Sequence, residues 1–138
     1  MKKTSLIEII GEVFIFFTMY IWSITEDNLE SMTLREFNAI TAHNKLTLVD
    51  FYASWCGPCR ATHHTLDKLE EQMAGAVDVL RIDIDHSSNA ELVNHFRIMA
   101  VPTLMLFRRG RKLWRESGVL TVESLTEIVR RYERVEVY

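Results

Sequence analysis

Hydrophobic residues recur with helical spacing in some segments of the chain and with strand spacing in others. Helices are predicted where apolar residues return every three or four positions, and strands where β-branched and aromatic residues alternate or run together. In chain order these patterns predict helix 33–42, strand 46–53, a helix ending near residue 75, strand 77–85, a short helix from residue 88, strands 103–107 and 112–116, and a helix from residue 122. This order indicates an α/β fold, with a mixed β-sheet that carries helices on both faces.

Polar residues mark where several of these helices begin. Thr33 with Glu36, and Ser88 with Glu91, have the spacing of a capping box, in which two side chains satisfy backbone N–H groups reciprocally. Thr121 is placed to act as the N-cap of the last helix. The sequence therefore predicts side-chain caps at three helix starts.

The first 25 residues differ from the rest of the chain. Residues 6–24 are apolar apart from two glutamates and three small or polar residues, and the last 12 of them carry no charge. That uncharged stretch is shorter than the roughly 20 residues that span a bilayer, so a spanning helix must also include Glu8 and Glu12. We therefore expect a hydrophobic segment at residues 1–25 and one domain at residues 26–138.

Residues 6–24 have more than one interpretation. The one we favour is a membrane anchor, with Lys2 and Lys3 in the cytoplasm, Tyr20 and Trp22 at the far interface, and the domain facing outward into the periplasm. The alternatives are an interfacial helix or an extra helix folded against the domain, with the protein in the cytoplasm. A cleaved signal peptide is disfavoured because no small-x-small cleavage site follows the apolar run.

The composition of the chain restricts the classes of function that it can have. The chain of 138 residues is 48% hydrophobic and 25% charged, which suits one globular domain. Its net charge of −3 provides no basic field for binding a phosphate backbone, so nucleic acid is not expected as a partner. The two cysteines lie three residues apart, and a bridge between them would close too short a loop to stabilise the fold. The cysteine pair therefore indicates a chemical rather than a stabilising role.

The cysteine pair lies where a strand gives way to a helix. The segment Trp55-Cys56-Gly57-Pro58-Cys59 follows one predicted strand and opens the next helix. The free backbone N–H groups and the positive end of a helix dipole favour a thiolate at Cys56, which is the nucleophilic form. Cys59, one turn further on and expected to be more buried, suits the role of the resolving thiol.

Four motifs in register show a resemblance to a known family. Trp-Cys-Gly-Pro-Cys at 55–59, Val-Asp-Phe at 49–51, Val-Pro-Thr at 101–103 and Gly118 occur in the order and spacing of thioredoxin. The chain from about residue 28 to residue 133 resembles this family. The resemblance implies the thioredoxin fold and a protein disulfide reductase that works through a mixed disulfide, without a cofactor. Its partners would be disulfide-containing proteins and an upstream reductase or membrane electron donor.

The resemblance also implies roles for individual residues. Asp50 would lie beneath the cysteines and help remove the proton from Cys59, and burial in an apolar strand should raise the pKa of that carboxyl. Pro102 would follow a cis peptide bond and face the active site. The residues expected to contact substrate are Trp55, Val101, Pro102 and Gly118.

The sequence departs from the family pattern in the active-site helix and beside the buried carboxyl. His64 stands where the family usually has a kinking proline, and Arg81 stands where it typically has a lysine. Arg81 cannot release a proton, but its charge could still lower the pKa of Asp50. His63 is four residues after Cys59, so a zinc site with both cysteines is one interpretation. We expect instead no metal, and histidines that are solvated at the surface.

The residues between the cysteines bear on the direction of the redox reaction. The Gly57–Pro58 pair inside the cysteines resembles the reducing members of the family. A strong disulfide oxidant is one alternative, because the redox potential depends on how strongly the Cys56 thiolate is stabilised. A binding or chaperone-like module that holds partners near Trp55, Val101 and Pro102 is another.

Overall fold

The computed structural model describes residues 6–27 and 32–136, and the chain divides into two compact units, residues 1–31 and 32–138. The first unit contains one helix, α1, Leu6–Asp27. This helix runs past residue 26, the predicted start of the domain, and the boundary between residues 25 and 26 stays a prediction.

Helix α1 presents apolar side chains to its surroundings. From residue 9 to residue 20 every side chain is exposed, and Phe14, Phe16 and Phe17 are each at least 60% exposed. Across residues 6–27 and 32–136, no helix has both the length and the apolar character that crossing a membrane requires.

The second unit alternates helices and strands before a final hairpin, as predicted. Its helices are α2 Leu34–Thr41, α3 Gly57–Met73, α4 Ala90–His95 and α5 Val122–Glu133, and its strands are β1 Leu46–Tyr52, β2 Val77–Asp83, β3 Thr103–Arg108 and β4 Arg111–Ser117. A short 3₁₀ turn at Ser87–Asn89 precedes α4. The strands lie in the order β2-β1-β3-β4, with β1 parallel to β2 and antiparallel to β3, and β3 antiparallel to β4. The predicted mixed sheet is confirmed.

The central position of β1 explains its composition. A strand with neighbours on both sides and helices on both faces has no solvent-exposed side, and residues 46–51 are all buried. One face packs against α3 and α5 through Leu46, Leu48, Leu66, Leu69, Leu104, Leu106, Leu125 and Val129. The other face packs against α2 and α4 through Phe37, Val49, Phe51, Ile82, Leu92, Met105 and Phe107.

Two of the three predicted caps are present. Thr33 and Glu36 form a complete capping box at α2, and the Thr121 side chain accepts a hydrogen bond from the backbone N–H of Ser124 at α5. The capping box predicted at Ser88 and Glu91 is wrong, because neither side chain caps α4.

Their side chains have other partners. The Ser88 hydroxyl contacts the His86 ring, and the Glu91 carboxylate accepts from the backbone N–H of Leu34, 3.4 Å away. Asn89, which is buried, joins this region to the sheet by donating to the carbonyl oxygen of Asp83 at 2.8 Å.

Candidate active site

The two cysteines lie at the start of α3, directly after the turn that ends β1. Cys56 is the N-cap residue with extended backbone dihedrals, and its Sγ accepts from the backbone N–H of Cys59 at 3.2 Å. Pro58 fits in the first turn because its missing N–H would have had no partner within the helix. Cys56 and Cys59 are joined in a disulfide with Cα atoms 5.3 Å apart. This is the oxidised form of a redox pair.

The start of α3 affects the reactivity of the cysteine pair. Free N–H groups and the positive end of the α3 dipole lie at Cys56, where they favour a thiolate once the disulfide is reduced. Both residues are buried, Cys56 4% exposed and Cys59 1% exposed, so the expected difference in burial is small.

Val101 lies beside the disulfide, and Pro102 and Gly118 are connected to it through a peptide bond and a backbone hydrogen bond. The Val101–Pro102 peptide bond is cis, as the resemblance implies, and the Val101 carbonyl oxygen is 3.7 Å from Cys56 Sγ. The backbone N–H of Gly118 donates to the Pro102 carbonyl oxygen at 2.9 Å. Gly118 has φ of +108°, a conformation that side-chain-bearing residues rarely adopt. The fold therefore brings three distant parts of the sequence to one edge of the sheet.

Trp55 is exposed over 69% of its surface but is held by a hydrogen bond. Its indole Nε1 donates to Asp85 Oδ2 at 2.7 Å. Asp85 is not among the predicted site residues because the alternating pattern extends the second strand to residue 85, whereas β2 ends at Asp83. A signal was available, because the carboxyl ends of parallel strands meet at one edge and Trp55 and Asp85 both follow such ends.

Asp50 is a fully buried carboxyl in the middle of the sheet. It is opposite Arg81 in β2 and Leu104 in β3, and its side chain is 0% exposed. Burial raises the pKa of Asp50 to about 7, since the charged form is desolvated, and the positive charge of Arg81 opposes this only in part. Neither carboxyl oxygen has a hydrogen-bond partner among the described residues. The predicted rise in pKa agrees with this environment.

The prediction that His63 is a solvated surface histidine is wrong. Its Nε2 lies 3.2 Å from Asp50 Oδ2, and its ring packs edge-to-face on Tyr52 with centroids 4.7 Å apart. The side chain is 33% exposed, and desolvation is the main cause that lowers the pKa of His63. His63 lies four positions after Cys59, which places both on one face of α3. His64, by contrast, is exposed.

The two departures from the family pattern have clear structural outcomes. Helix α3 continues from Gly57 to Met73 past His64, where the family usually has a proline. Arg81 directs its guanidinium to the carboxylates of Asp67 at 2.8 Å and Glu70 at 3.0 Å. Its charge therefore acts on Asp50 through space.

The zinc interpretation requires both cysteines and a histidine around one ion. In the described residues, no three or more His, Cys, Asp or Glu side chains are grouped so that they could hold a metal ion. The Cys59 sulfur is instead bonded to Cys56, and the His63 ring faces Asp50.

A mixed sheet with a redox-active cysteine pair at a helix start defines a thiol–disulfide oxidoreductase. The Thioredoxin family model matches residues 28–131. The thioredoxin of Alicyclobacillus acidocaldarius is 39% identical over 69% of this chain and 90% of its own length, and that of Listeria monocytogenes is 33% identical over 63% and 82%. The chain therefore belongs to the thioredoxin family.

Solved structures agree with this assignment. Chloroplastic thioredoxin z aligns with a TM-score of 0.67 at 32% identity, covering 77% of this chain and 95% of that one. The thioredoxin of Malassezia sympodialis aligns with a TM-score of 0.65 at 25% identity, covering 76% and 90%. The predicted family, fold and protein disulfide reductase activity are confirmed, and disulfide-containing proteins are the class of substrate.

Proposed function

We propose that Cys56 is the attacking thiol and Cys59 the resolving thiol of this reductase. The observation that carries the assignment is the position of Cys56 as N-cap of α3, where the Cys59 N–H already points at its sulfur. A thiolate at Cys56 receives this donor and the helix dipole, whereas Cys59 lies inside the first turn.

Each step exchanges one sulfur–sulfur bond for another. The Cys56 thiolate attacks a substrate disulfide, forming a mixed disulfide while the first substrate sulfur leaves as a thiolate. Cys59 then loses its proton and attacks Cys56 Sγ, and the second substrate sulfur leaves. The substrate gains two electrons, and the protein is left with the Cys56–Cys59 bridge seen in the structure.

Asp50 is proposed as the base that receives the Cys59 proton. A pKa of about 7 makes the carboxylate and the carboxylic acid comparably populated at neutral pH, which suits a group that must both take up and release a proton. The absence of hydrogen-bond partners for its oxygens among the described residues leaves the carboxylate free to accept.

Trp55, Val101, Pro102 and Gly118 are proposed as the surface that contacts the substrate. Trp55 is largely exposed and Val101 partly exposed, and the Val101 carbonyl lies next to Cys56 Sγ. An exposed aromatic side chain and a backbone carbonyl beside the sulfur suit an extended polypeptide more than a small thiol.

Substitution of each cysteine by serine distinguishes the attacking thiol from the resolving thiol. Cys59→Ser should capture substrate as a stable mixed disulfide at Cys56, because the attack succeeds and the resolving thiol is missing. Cys56→Ser is the matched variant and should capture none. Non-reducing electrophoresis and mass spectrometry after incubation with an oxidised protein substrate locate the bond. Capture by Cys56→Ser but not by Cys59→Ser would reverse the assignment.

The oxidised protein must be re-reduced after every cycle, and an upstream reductase or a membrane electron donor is proposed for this step. We further propose that residues 6–24 associate with a membrane surface. The support is the set of large apolar side chains that α1 exposes from residue 9 to residue 20, since contact with lipid would remove this apolar area from water.

Vesicle flotation of the full chain tests the membrane proposal. Phosphatidylcholine vesicles with a minority of phosphatidylglycerol should carry the protein upward, and Phe17→Gln should weaken this binding severalfold by removing apolar area. Thr18→Gln is the matched control and should bind nearly as well as the parent. A protein that stays at the bottom of the gradient would refute the association, while its reductase activity would be unaffected.

A further inference from the structure

A buried base needs a path by which its proton reaches water. Asp50 is 0% exposed, lies in the central strand and packs beside Leu48 and Leu104 on the face covered by α3 and α5. A carboxyl that collects one proton in each cycle must also release one, and an apolar core conducts protons poorly. The side chains that contact Asp50 therefore determine how quickly it releases its proton before the next cycle.

His63 connects this carboxyl to the surface. Its Nε2 is buried and lies 3.2 Å from Asp50 Oδ2, whereas the side chain as a whole is 33% exposed. The contact is close, but it is not aligned as a hydrogen bond, and Nε2 has no other hydrogen-bond partner in the described part of the chain. One end of the imidazole thus faces the buried carboxyl while the ring reaches solvent.

We propose that His63 is a positioning residue that relays protons between Asp50 and solvent during resolution of the mixed disulfide. The inference rests on the proposed role of Asp50 as the base for Cys59. The Asp50 carboxylate takes the proton from the Cys59 thiol and passes it to Nε2 of the neutral imidazole, and Nδ1 then releases its proton to water. A return to the starting tautomer completes the cycle, with no electron transferred.

The environment of the His63 ring favours the neutral form, which can accept a proton. From α3, Asp67 and His64 act on His63, from β2 Arg81 does, and from β1 the Asp50 carboxyl faces the ring. Burial, Arg81 and His64 outweigh Asp67, so the pKa of His63 is lowered and the neutral ring is favoured. Arg81 cannot serve as the relay, because a guanidinium does not release its proton, and Asp67 and Glu70 bind it. An imidazole can accept at one nitrogen and donate from the other.

The lifetime of the mixed disulfide is the measurement. Reduced protein is mixed with an oxidised protein substrate in dilute buffer at pH 7, quenched with acid, and the mixed disulfide is quantified over time. His63→Ala should lengthen its lifetime by about tenfold, a modest share of what proton-transfer groups contribute. His63→Gln should be equally slow, because the amide keeps the size and polarity but cannot relay. His64→Gln, the neighbouring exposed histidine, should match the parent.

Added imidazole distinguishes a relay from a structural role. It should restore the rate of His63→Ala in proportion to its concentration, and it should leave Asp50→Asn slow. A normal rate in His63→Ala, full activity in His63→Gln, or no response to imidazole would overturn the relay. If Asp50→Asn resolves as fast as the parent, the proposed base fails and the relay with it. A slow Asp50→Asn beside a normal His63→Ala would retain the base and reject the relay alone.

Discussion

The indole Nε1 of Trp55 donates a hydrogen bond to Asp85 Oδ2 at 2.7 Å, although 30 residues separate the two in the chain. Trp55 follows β1 and Asp85 follows β2, and these two strands are parallel neighbours. The bond fixes a 69% exposed aromatic ring next to Cys56. The orientation of the Trp55 ring beside the active site therefore depends on this hydrogen bond, because little of the ring is packed against other side chains.

Asp85→Ala should release the Trp55 ring. Because the bond is exposed, the loss of unfolding free energy should stay below about 1 kcal/mol, while KM for a protein disulfide should rise by a fewfold. In a two-dimensional ¹H–¹⁵N spectrum the indole N–H signal of Trp55 should move, and that of Trp114 should remain in place as the internal control. An unchanged Trp55 signal would contradict the hydrogen bond.

Asp50→Asn should remove a pH dependence of stability. The folded protein holds the Asp50 proton up to about pH 7, whereas the ordinary pKa of an exposed aspartate is 3.8. Folding therefore binds a proton between these pH values, so the unfolding free energy of the parent falls as pH rises from about 4 to about 7 and stays reduced above that. At about 1.4 kcal/mol per pH unit, the asparagine variant should be more stable at pH 8 by up to roughly 4 kcal/mol.

Urea unfolding at a series of pH values measures this difference. Asp78→Asn is the control, because its side chain is 52% exposed and pairs with Lys45 at the surface, so its effect should stay within about 1 kcal/mol. Parallel pH profiles for the parent and Asp50→Asn would show that Asp50 carries no such proton.

Arg81→Met should raise the pKa of Asp50 further above about 7, because the positive charge of Arg81 opposes the effect of burial. The pKa of His63 should rise as well, since Arg81 also lowers it. Arg81→Lys keeps the charge and should leave both pKa values near those of the parent. NMR titration of the Asp50 carboxyl carbon and the His63 ring measures both, and a fall in either pKa in Arg81→Met would contradict the assignment.

Gly118→Ala should destabilise the protein without creating a clash. The space around a Cβ at this position is open, but φ is +108°, so the cost comes from backbone strain and should reach at least about 1 to 2 kcal/mol. Gly75→Ala is matched, because its Cβ also meets nothing within 4 Å and its φ lies outside the left-handed range. Its stability should be unchanged or higher by up to about 1 kcal/mol. Equal effects of the two substitutions in thermal unfolding would exclude strain as the cause.

Features that depend on residues close together in the chain could be predicted well. The strands and helices of the second unit appear in the predicted order, and the Thr33–Glu36 capping box is present because both partners belong to one helical turn. Ser88 and Glu91 have the same spacing, yet Ser88 contacts His86 and Glu91 accepts from Leu34, 57 residues away. The spacing of a capping box does not show whether either side chain has a competing partner, either nearby in the chain or far away.

The amino-acid sequence by itself determined the family, the order of the elements and the cysteine pair at the start of α3, since each is recorded in short motifs and periodic patterns and in their order along the chain. Only the tertiary structure decided that His63 meets Asp50 and that Asp85 holds Trp55. Helical periodicity places His63 on the same face as Cys59 but does not say what that face covers. Because α3 packs across β1, His63 lies next to the buried carboxyl of Asp50.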